Sequence, residues 1–87
     1  MAASNSKLIL TVLTRRGVIF DQEVESITSY NDTGRFDVLP EHSQFISIVK
    51  NKIVARLKDG RDQQIPVDNA IMRVKGVKVE VFLGVKQ

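Results

Sequence analysis

The chain of 87 residues is 43% hydrophobic and 26% charged, which is typical of one small globular domain. It has no cysteine and one histidine, so disulfides are excluded and a zinc site is disfavoured. Its net charge is only +3, and its apolar runs are far shorter than the roughly 18–20 residues that span a bilayer.

The first third of the chain predicts short strands separated by turns. Residues 1–6 are small and polar, and we expect them to be flexible. Lys7–Leu13 has two largely apolar faces, which predicts a strand that is central in its sheet or packed on both sides. After an Arg-Arg-Gly turn, Val18–Phe20 predicts a second strand and Glu23–Tyr30 a third, whose apolar residues change phase. A β-bulge near Glu25–Ser26 would restore the alternation.

The segment GRFDVLPEHSQFISI, residues 34–48, predicts a shaped loop between two strands. It follows an Asn-Asp-Thr-Gly turn, and Pro40 ends its first strand, Phe36–Leu39, because proline has no N–H to donate. Its second strand is Phe45–Val49, and His42 lies at the crest between the two. An exposed loop on a rigid β scaffold is where binding residues commonly lie.

The remaining chain continues the pattern of short alternating segments. Asp59-Gly60 indicates a two-residue hairpin turn, and Pro66 indicates a strand end or a sheet edge. The predicted strands are Lys52–Lys58, Arg61–Val67, Ala70–Val74 and Val77–Leu83. The whole sequence therefore predicts one all-β domain over residues 1–87, a small β-sandwich or flattened barrel of about 8–10 short, mostly antiparallel strands.

No constellation of residues indicates catalysis. His42 and Ser43 are neighbours, so in an extended strand their side chains point to opposite faces. No acidic residue in a suggestive context completes a triad, although Asp37 or Glu41 could lie near His42. No glycine-rich loop precedes a Lys-Ser or Lys-Thr pair, so a phosphate loop is not expected. We therefore expect no catalytic residue, no metal and no cofactor, and a small enzyme is the least favoured reading.

The basic residues leave one alternative function open, a free-standing basic β-barrel that binds nucleic acid. Most of them alternate with apolar residues, as on the solvated face of a sheet, and they lack the aromatic platforms of single-strand binders. The N-terminus lacks a secretory signal, so we read the sequon at Asn31 as a turn and expect the protein on the cytoplasmic side.

The order of motifs resembles the N-terminal β domain of the epsilon subunit of F-type ATP synthases. The similarity covers essentially residues 7–84. Its most specific part is a Gly, a short apolar strand, Pro, one residue and His, here Gly34, Phe36–Leu39, Pro40 and His42. Supporting motifs are the first strand ending in Thr14 with Val18-Ile19-Phe20 after it, the strand Glu23–Thr28, and the final Val79–Leu83.

The resemblance implies a non-catalytic subunit of the central stalk in a proton- or sodium-driven synthase. In that family the domain links the gamma subunit to the polar loops of the proteolipid ring and helps couple rotation to ATP synthesis. It would be peripheral to the membrane, through the complex alone. Typical members continue into a two-helix C-terminal domain, so a sequence whose last residue is Gln87 is interpreted either as a natural short form or as the N-terminal domain of a longer protein.

The resemblance also assigns residues to two partner surfaces. The ring side comprises Asp32, Gly34, Arg35 and Phe36, with Arg35 expected at the tip, where a guanidinium suits carboxylate or carbonyl partners. The gamma side comprises Thr14, Leu39, His42 and Phe45.

Overall fold

The computed structural model describes residues 7–40 and 44–84, and this part of the chain is built from strands and turns. Within it, no helix has the length and apolar character that crossing a membrane requires. The strands are β1 (Leu8–Thr14), β2 (Gly17–Asn31), β3 (Gly34–Val38), β4 (Gln44–Leu57), β5 (Asp62–Lys75) and β6 (Lys78–Phe82).

The sheet closes on itself. Its strand order is β1-β6-β5-β4-β2-β3, and an additional pairing of β1 with β2 completes a ring of five strands, with β3 attached to β2. All pairings are antiparallel except that of β1 with β6. Because β1 is paired along both edges, the prediction that the first strand is central is confirmed. The all-β sandwich or barrel is also confirmed.

The structure has six strands where the sequence predicts about 8–10 shorter ones, because three of the six are long. Strands β2, β4 and β5 have 15, 14 and 14 residues, and each joins two segments that the sequence separates. Their pairings shift register part-way, between Val24 and Ser26 in β2 and between Val49 and Asn51 in β4. A bulge bends a strand and increases its twist, so these strands pass from one half of the flattened barrel to the other.

The irregularity in β2 confirms the bulge predicted near Glu25–Ser26. The bend in β4 has a further signature, since Asn51 is the non-glycine residue with positive φ (77°) in the described part. Asparagine tolerates this left-handed conformation better than most residues.

One continuous core lies inside the barrel. One of the two apolar faces of β1 (Leu8, Leu10, Val12) is fully buried. These residues join inward residues from both halves of the long strands: Val24, Ile27, Val49, Ile53, Ala55, Val67, Ala70, Met72 and Val74, together with Val38, Val79 and Val81. The one buried polar side chain of the described part, Ser29, donates a hydrogen bond to the Lys52 carbonyl at 3.0 Å.

The hairpin at Asp59-Gly60 exists, but its predicted two-residue turn is wrong. The Leu57 N–H bonds the Arg61 carbonyl at 2.7 Å, which leaves a three-residue loop, Lys58 to Gly60. Only Gly60 has positive φ there (91°), as in three-residue hairpin loops that end in a left-handed glycine. Pro66, by contrast, lies where predicted, in the half of β5 that pairs with β4 alone.

Candidate interaction surfaces

The turn between β2 and β3 is held in one shape by its own side chains. The Asn31 carboxamide oxygen accepts hydrogen bonds from the Thr33 N–H (2.9 Å) and the Thr33 hydroxyl (2.7 Å), and Gly34 has φ 121°. Asp32, at the exposed tip, forms an ion pair with Lys50 of β4. The Lys50 ammonium hydrogen-bonds the Asp32 carboxylate and lowers its pKa. The turn is therefore preorganised and projects a carboxylate.

The other residues predicted for the ring side have different environments. Arg35 does not lie at the tip: it is in β3 opposite Tyr30, with its guanidinium 3.9 Å from the Asp37 carboxylate. Its predicted position was wrong because Gly34 already begins the strand. Phe36 is partly buried and packs against the core, so it anchors the start of β3 next to the turn.

Thr14 and Phe45, two of the residues predicted for the gamma side, lie on different strands that do not pair. Thr14 ends β1, where its hydroxyl accepts from the Arg16 N–H and donates to the Gly17 carbonyl, while Phe45 lies on β4, which is separated from β1 by β2 on one side of the ring and by β5 and β6 on the other. Phe45 instead packs edge-on against Phe36, with ring centroids 6.3 Å apart. Leu39 is 51% exposed, and His42 lies outside the described residues.

A surface that the sequence analysis did not identify runs across the outside of five strands. Ile48 on β4 pairs with Ile71 on β5, Ile71 with Phe82 on β6, Phe82 with Leu13 on β1, and Leu13 with Val18 on β2. Cross-strand partners point to the same face. Leu13 and Ile71 are half-buried by their neighbours, while Val18, Ile48 and Phe82 remain 55%, 57% and 36% exposed. We call these five side chains the apolar row.

The sequence carried only a weak signal of this row. Apolar residues on both faces of Lys7–Leu13 and Phe45–Val49 showed that some of them must point outward. The row becomes visible only when the register aligns residues that are up to 69 positions apart, Leu13 and Phe82 among them.

The outer face of the other half of the barrel is polar. It carries Ser26, Thr28 and Tyr30 of β2 beside Lys52, Val54 and Arg56 of β4, which line a shallow groove. The Thr28 hydroxyl donates to the Asp37 carboxylate at 2.7 Å, and Arg56 pairs with Asp62 at 2.8 Å. We call Thr28, Tyr30, Lys52, Val54 and Arg56 the polar face.

Most cations on the surface are paired with carboxylates. Glu23 contacts both Lys7 (3.0 Å) and Lys58 (3.2 Å), and these hydrogen bonds lower its pKa, with Lys7 the larger cause. The pKa of the Asp59 carboxyl is also lowered. The hydrogen bond from the Arg61 backbone N–H is the largest cause, and the Arg61 side chain adds a smaller effect. The structure shows seven such ion pairs among the described residues, which breaks up any continuous cationic track. Within residues 7–40 and 44–84 no group of acidic or histidine side chains could hold a metal ion.

Comparison with known proteins now places the fold. A family model described as the ATP synthase, Delta/Epsilon chain, beta-sandwich domain matches residues 7–84. The chain belongs to this family. It is an epsilon-type β-sandwich domain, as the resemblance implied.

Several ATP synthase epsilon chains are similar in sequence. That of Geotalea uraniireducens is 32% identical over 77 residues, covering 88% of this chain and 56% of the relative. That of Sulfurimonas denitrificans is 32% identical over 79 residues, covering 90% and 61%. That of a Nitratiruptor species is 34% identical over 62 residues, covering 70% and 48%. The domain thus spans about half the length of the relatives that it matches.

A solved structure confirms the same fold. A chain in the cryo-EM structure of the Euglena gracilis mitochondrial ATP synthase, which comprises OSCP, F1 and the c-ring, superposes with a TM-score of 0.80 at 19% identity. The match covers 88% of the present chain and 50% of that chain.

Proposed function

We propose that this epsilon-type domain is a non-catalytic component of the central stalk of a rotary ATP synthase, where it links the gamma subunit to the proteolipid ring. The observation that carries the proposal is the family match over nearly the whole β-sandwich. The domain would be peripheral to an energy-transducing membrane, on its cytoplasmic face. It would help couple rotation to ATP synthesis, with a proton or sodium ion as the coupling ion.

The two sides of the domain suit this role in different ways. On the ring side, the turn from Asn31 to Gly34 holds Asp32 in a fixed position, and Arg35 lies close behind it. A carboxylate and a guanidinium can each bond polar loops of a neighbouring subunit. On the gamma side we retain Thr14, Leu39, His42 and Phe45 as proposed contacts. A barrel with one packed core is stiff, as transmission of torque requires.

Nucleic-acid binding is the less favoured alternative. A single-strand binder needs a continuous cationic groove with stacking aromatics. Here the ion pairs interleave the charges, and in the one close aromatic pair of the described part, Phe36 with Phe45, the Phe36 ring packs against the core.

The test is association of the intact chain with the gamma subunit of its own organism, followed by size-exclusion chromatography and light scattering. We expect a 1:1 complex with a dissociation constant of about 1 μM or tighter. A lack of complex formation at about 10 μM of each protein would contradict the proposal. Binding to a single-stranded oligonucleotide that weakens steeply with salt would favour the alternative.

The ring side is tested in the assembled complex. Replacing Asp32 with Lys should reduce ATP-driven ion pumping relative to ATP hydrolysis, because the charge of the fixed turn is reversed against its partner loop. Asp59→Lys, in a hairpin loop elsewhere on the barrel, is the matched control and should leave that ratio unchanged. Equal effects of the two variants would argue against a ring contact at this turn.

A further inference from the structure

Strand β3 forms an open edge of the sheet. One side of it pairs with residues 27–31 of β2, and among residues 7–40 and 44–84 no strand pairs with its other side. The five residues of the strand, Gly34–Val38, include no proline. A strand edge with unpaired N–H and C=O groups is a template on which another strand can form hydrogen bonds.

The hairpin geometry determines which backbone groups of β3 are unpaired. Asn31 and Gly34 close a two-residue loop, so they form a hydrogen-bonded pair, because the other kind of pair would need a bond between the two loop residues themselves. Bonded and non-bonded pairs alternate along an antiparallel ladder, which makes Phe36 the next bonded residue. The N–H and C=O groups of Arg35 and Asp37 therefore point away from β2 and form the open edge.

The side chains of the same two residues carry opposite charges. Arg35 and Asp37 are both exposed on the outside of the barrel, and the Arg35 Nε atom lies 3.9 Å from the Asp37 carboxylate. This distance is too long for a hydrogen bond, so the ion pair within the chain is loose. The Thr28 hydroxyl donates to the same carboxylate at 2.7 Å and holds it beside the edge. A better-placed guanidinium from another strand can therefore replace that of Arg35.

Two copies of β3 are complementary in one antiparallel register. With a two-fold axis at Phe36, Arg35 of each copy lies opposite Asp37 of the other, so all the outward backbone groups pair and two ion pairs form. An axis at Arg35 or at Asp37 would place like charges directly opposite each other, which is destabilising. A slip by one residue would set inward side chains beside outward ones.

We propose that β3 is a self-complementary interaction edge, on which a second copy of this chain adds its own β3 in antiparallel orientation about Phe36. The polar half of each barrel has the strand order β3-β2-β4-β5. Pairing joins four strands from each copy into one sheet with the two β3 strands at its centre. The contact is isologous, since the same patch serves both copies, and it closes at a dimer.

The opposite edge of the polar half lacks this complementarity. It is the first half of β5, which pairs with β4 alone. Pro66 lies in this stretch and has no N–H to offer a further strand, and the Asp62 carboxylate is already bonded to Arg56 at 2.8 Å. Proline is a common means of protecting a sheet edge. In β3 the nearest proline, Pro40, lies beyond the end of the strand.

The small size of the edge makes the association weak and reversible. Five residues extend about 17 Å, and with a layer about 10 Å thick this gives roughly 170 Å² per copy. Stable interfaces bury about 800 Å² on each side. We expect a dissociation constant of about 0.1–1 mM at low salt, and weaker pairing at high salt because the ion pairs are screened.

This inference goes beyond the proposed stalk function and does not depend on the gamma contact. Gly34, Arg35 and Phe36 also belong to the proposed ring side, so a chain paired through β3 has this edge covered. Pairing of free chains and contact with the ring are therefore mutually exclusive. Pairing and gamma binding are not, because Thr14 lies at the end of β1.

The first experiment is sedimentation equilibrium of the intact chain from about 10 μM to about 1 mM, with variants checked for an unchanged circular dichroism spectrum. Arg35→Asp and Asp37→Arg each place like charges across the contact and should each weaken self-association by about tenfold or more. Arg56→Asp makes the same charge change on the polar face away from the edge and is the matched control. It should alter the affinity by less than about twofold.

Charge complementation separates the proposed register from a general effect of charge. An equimolar mixture of the Arg35→Asp chain and the Asp37→Arg chain has opposite charges at both contacts, so it should form a heterodimer with about the wild-type affinity. The double variant, Arg35→Asp with Asp37→Arg, exchanges the two charges within one chain and should recover self-association for the same reason. Failure of both combinations to restore pairing would overturn the register.

Amide hydrogen exchange, followed by NMR, identifies the edge itself. As the concentration rises, the N–H groups of Arg35 and Asp37 should exchange more slowly, because pairing supplies their acceptors. The N–H of Phe36, which is already bonded within the hairpin, is the internal control and should not change. Self-association without added protection of Arg35 and Asp37 would assign the contact to another surface, such as the apolar row, and contradict the proposal.

The remaining outcomes distinguish this inference from the proposed function. A chain that sediments as a monomer up to about 1 mM at low salt would overturn the pairing of β3 and leave the stalk function standing. A chain that pairs through β3 but forms no complex with gamma would support the pairing and contradict the stalk function.

Discussion

The two outer faces of the barrel are made by the same long strands, yet they differ in character. Strand β4 contributes Ile48 to the apolar row in its first half and Lys52, Val54 and Arg56 to the polar face in its second half. On the inside both halves bury apolar residues alike, including Val49 and Ile53. Folding fixes the inward residues, whereas the outward ones are free to differ, so the apolar row is a property of the surface that the fold does not require.

The strongest test of this contrast compares neighbours on β5 that point in opposite directions. Met72→Ala removes a fully buried side chain and should lower the free energy of unfolding by about 2–4 kcal/mol. Ile71→Thr, in the apolar row, should lower it by less than about 1 kcal/mol. Urea denaturation measures both values. Similar losses would mean that the row belongs to the core and is not available to a partner.

A smaller loss of stability is expected for substitutions at Ser29 and Thr28, where the core and the polar face meet. Ser29→Ala leaves the Lys52 carbonyl without its hydroxyl donor in a buried site and should cost about 1–2 kcal/mol. Thr28→Ala, the adjacent outward position, loses a hydrogen bond to Asp37 that water can replace and should cost less than about 0.5 kcal/mol. If Thr28→Ala proved the more damaging, the polar face would be structurally essential.

The bend of β4 allows one strand to serve both faces, and its conformation can be tested directly. At Asn51, with φ 77°, Ala should cost about 1 kcal/mol of stability because of the left-handed backbone. Asn51→Gly removes the same side chain without that strain and should be neutral or slightly stabilising. Thermal unfolding of the two variants gives the comparison, and a loss with glycine equal to that with alanine would exclude backbone strain as the cause.

The smallest expected effect concerns pH. The pKa of Glu23 is lowered from its ordinary value of 4.5 by Lys7 and Lys58, so its ion pairs stabilise the fold above pH 4.5. That contribution is lost as the pH falls through the lowered pKa. Glu23→Gln should therefore flatten the decline in unfolding midpoint below pH 4.5, slightly and only at low salt, because the group is exposed. An unchanged acid profile at low salt would show that the pairs contribute nothing.

Particular residues show how much of the candidate site could be predicted from the sequence. The turn at residues 31–34 followed from its own Asn, Asp and Gly, and the structure has it there. The position of Arg35 and the contact of Phe36 with Phe45 did not follow, because they depend on where β3 begins and on how β3 and β4 pack together. The apolar row could not be predicted from the sequence for the same reason, since it depends on how distant strands pair.

By itself the sequence determined the β class, the strands β1 and β6, the bulge in β2 and the family to which the chain belongs. These depend on alternation with a period of two, on turn residues and on motif order, all of which are local in the chain. Tertiary structure alone decided that short segments join into long bent strands, that the sheet closes, and that Ile48, Ile71, Phe82, Leu13 and Val18 align. Register between distant strands is set by the packing of the whole core, and no local pattern contains it.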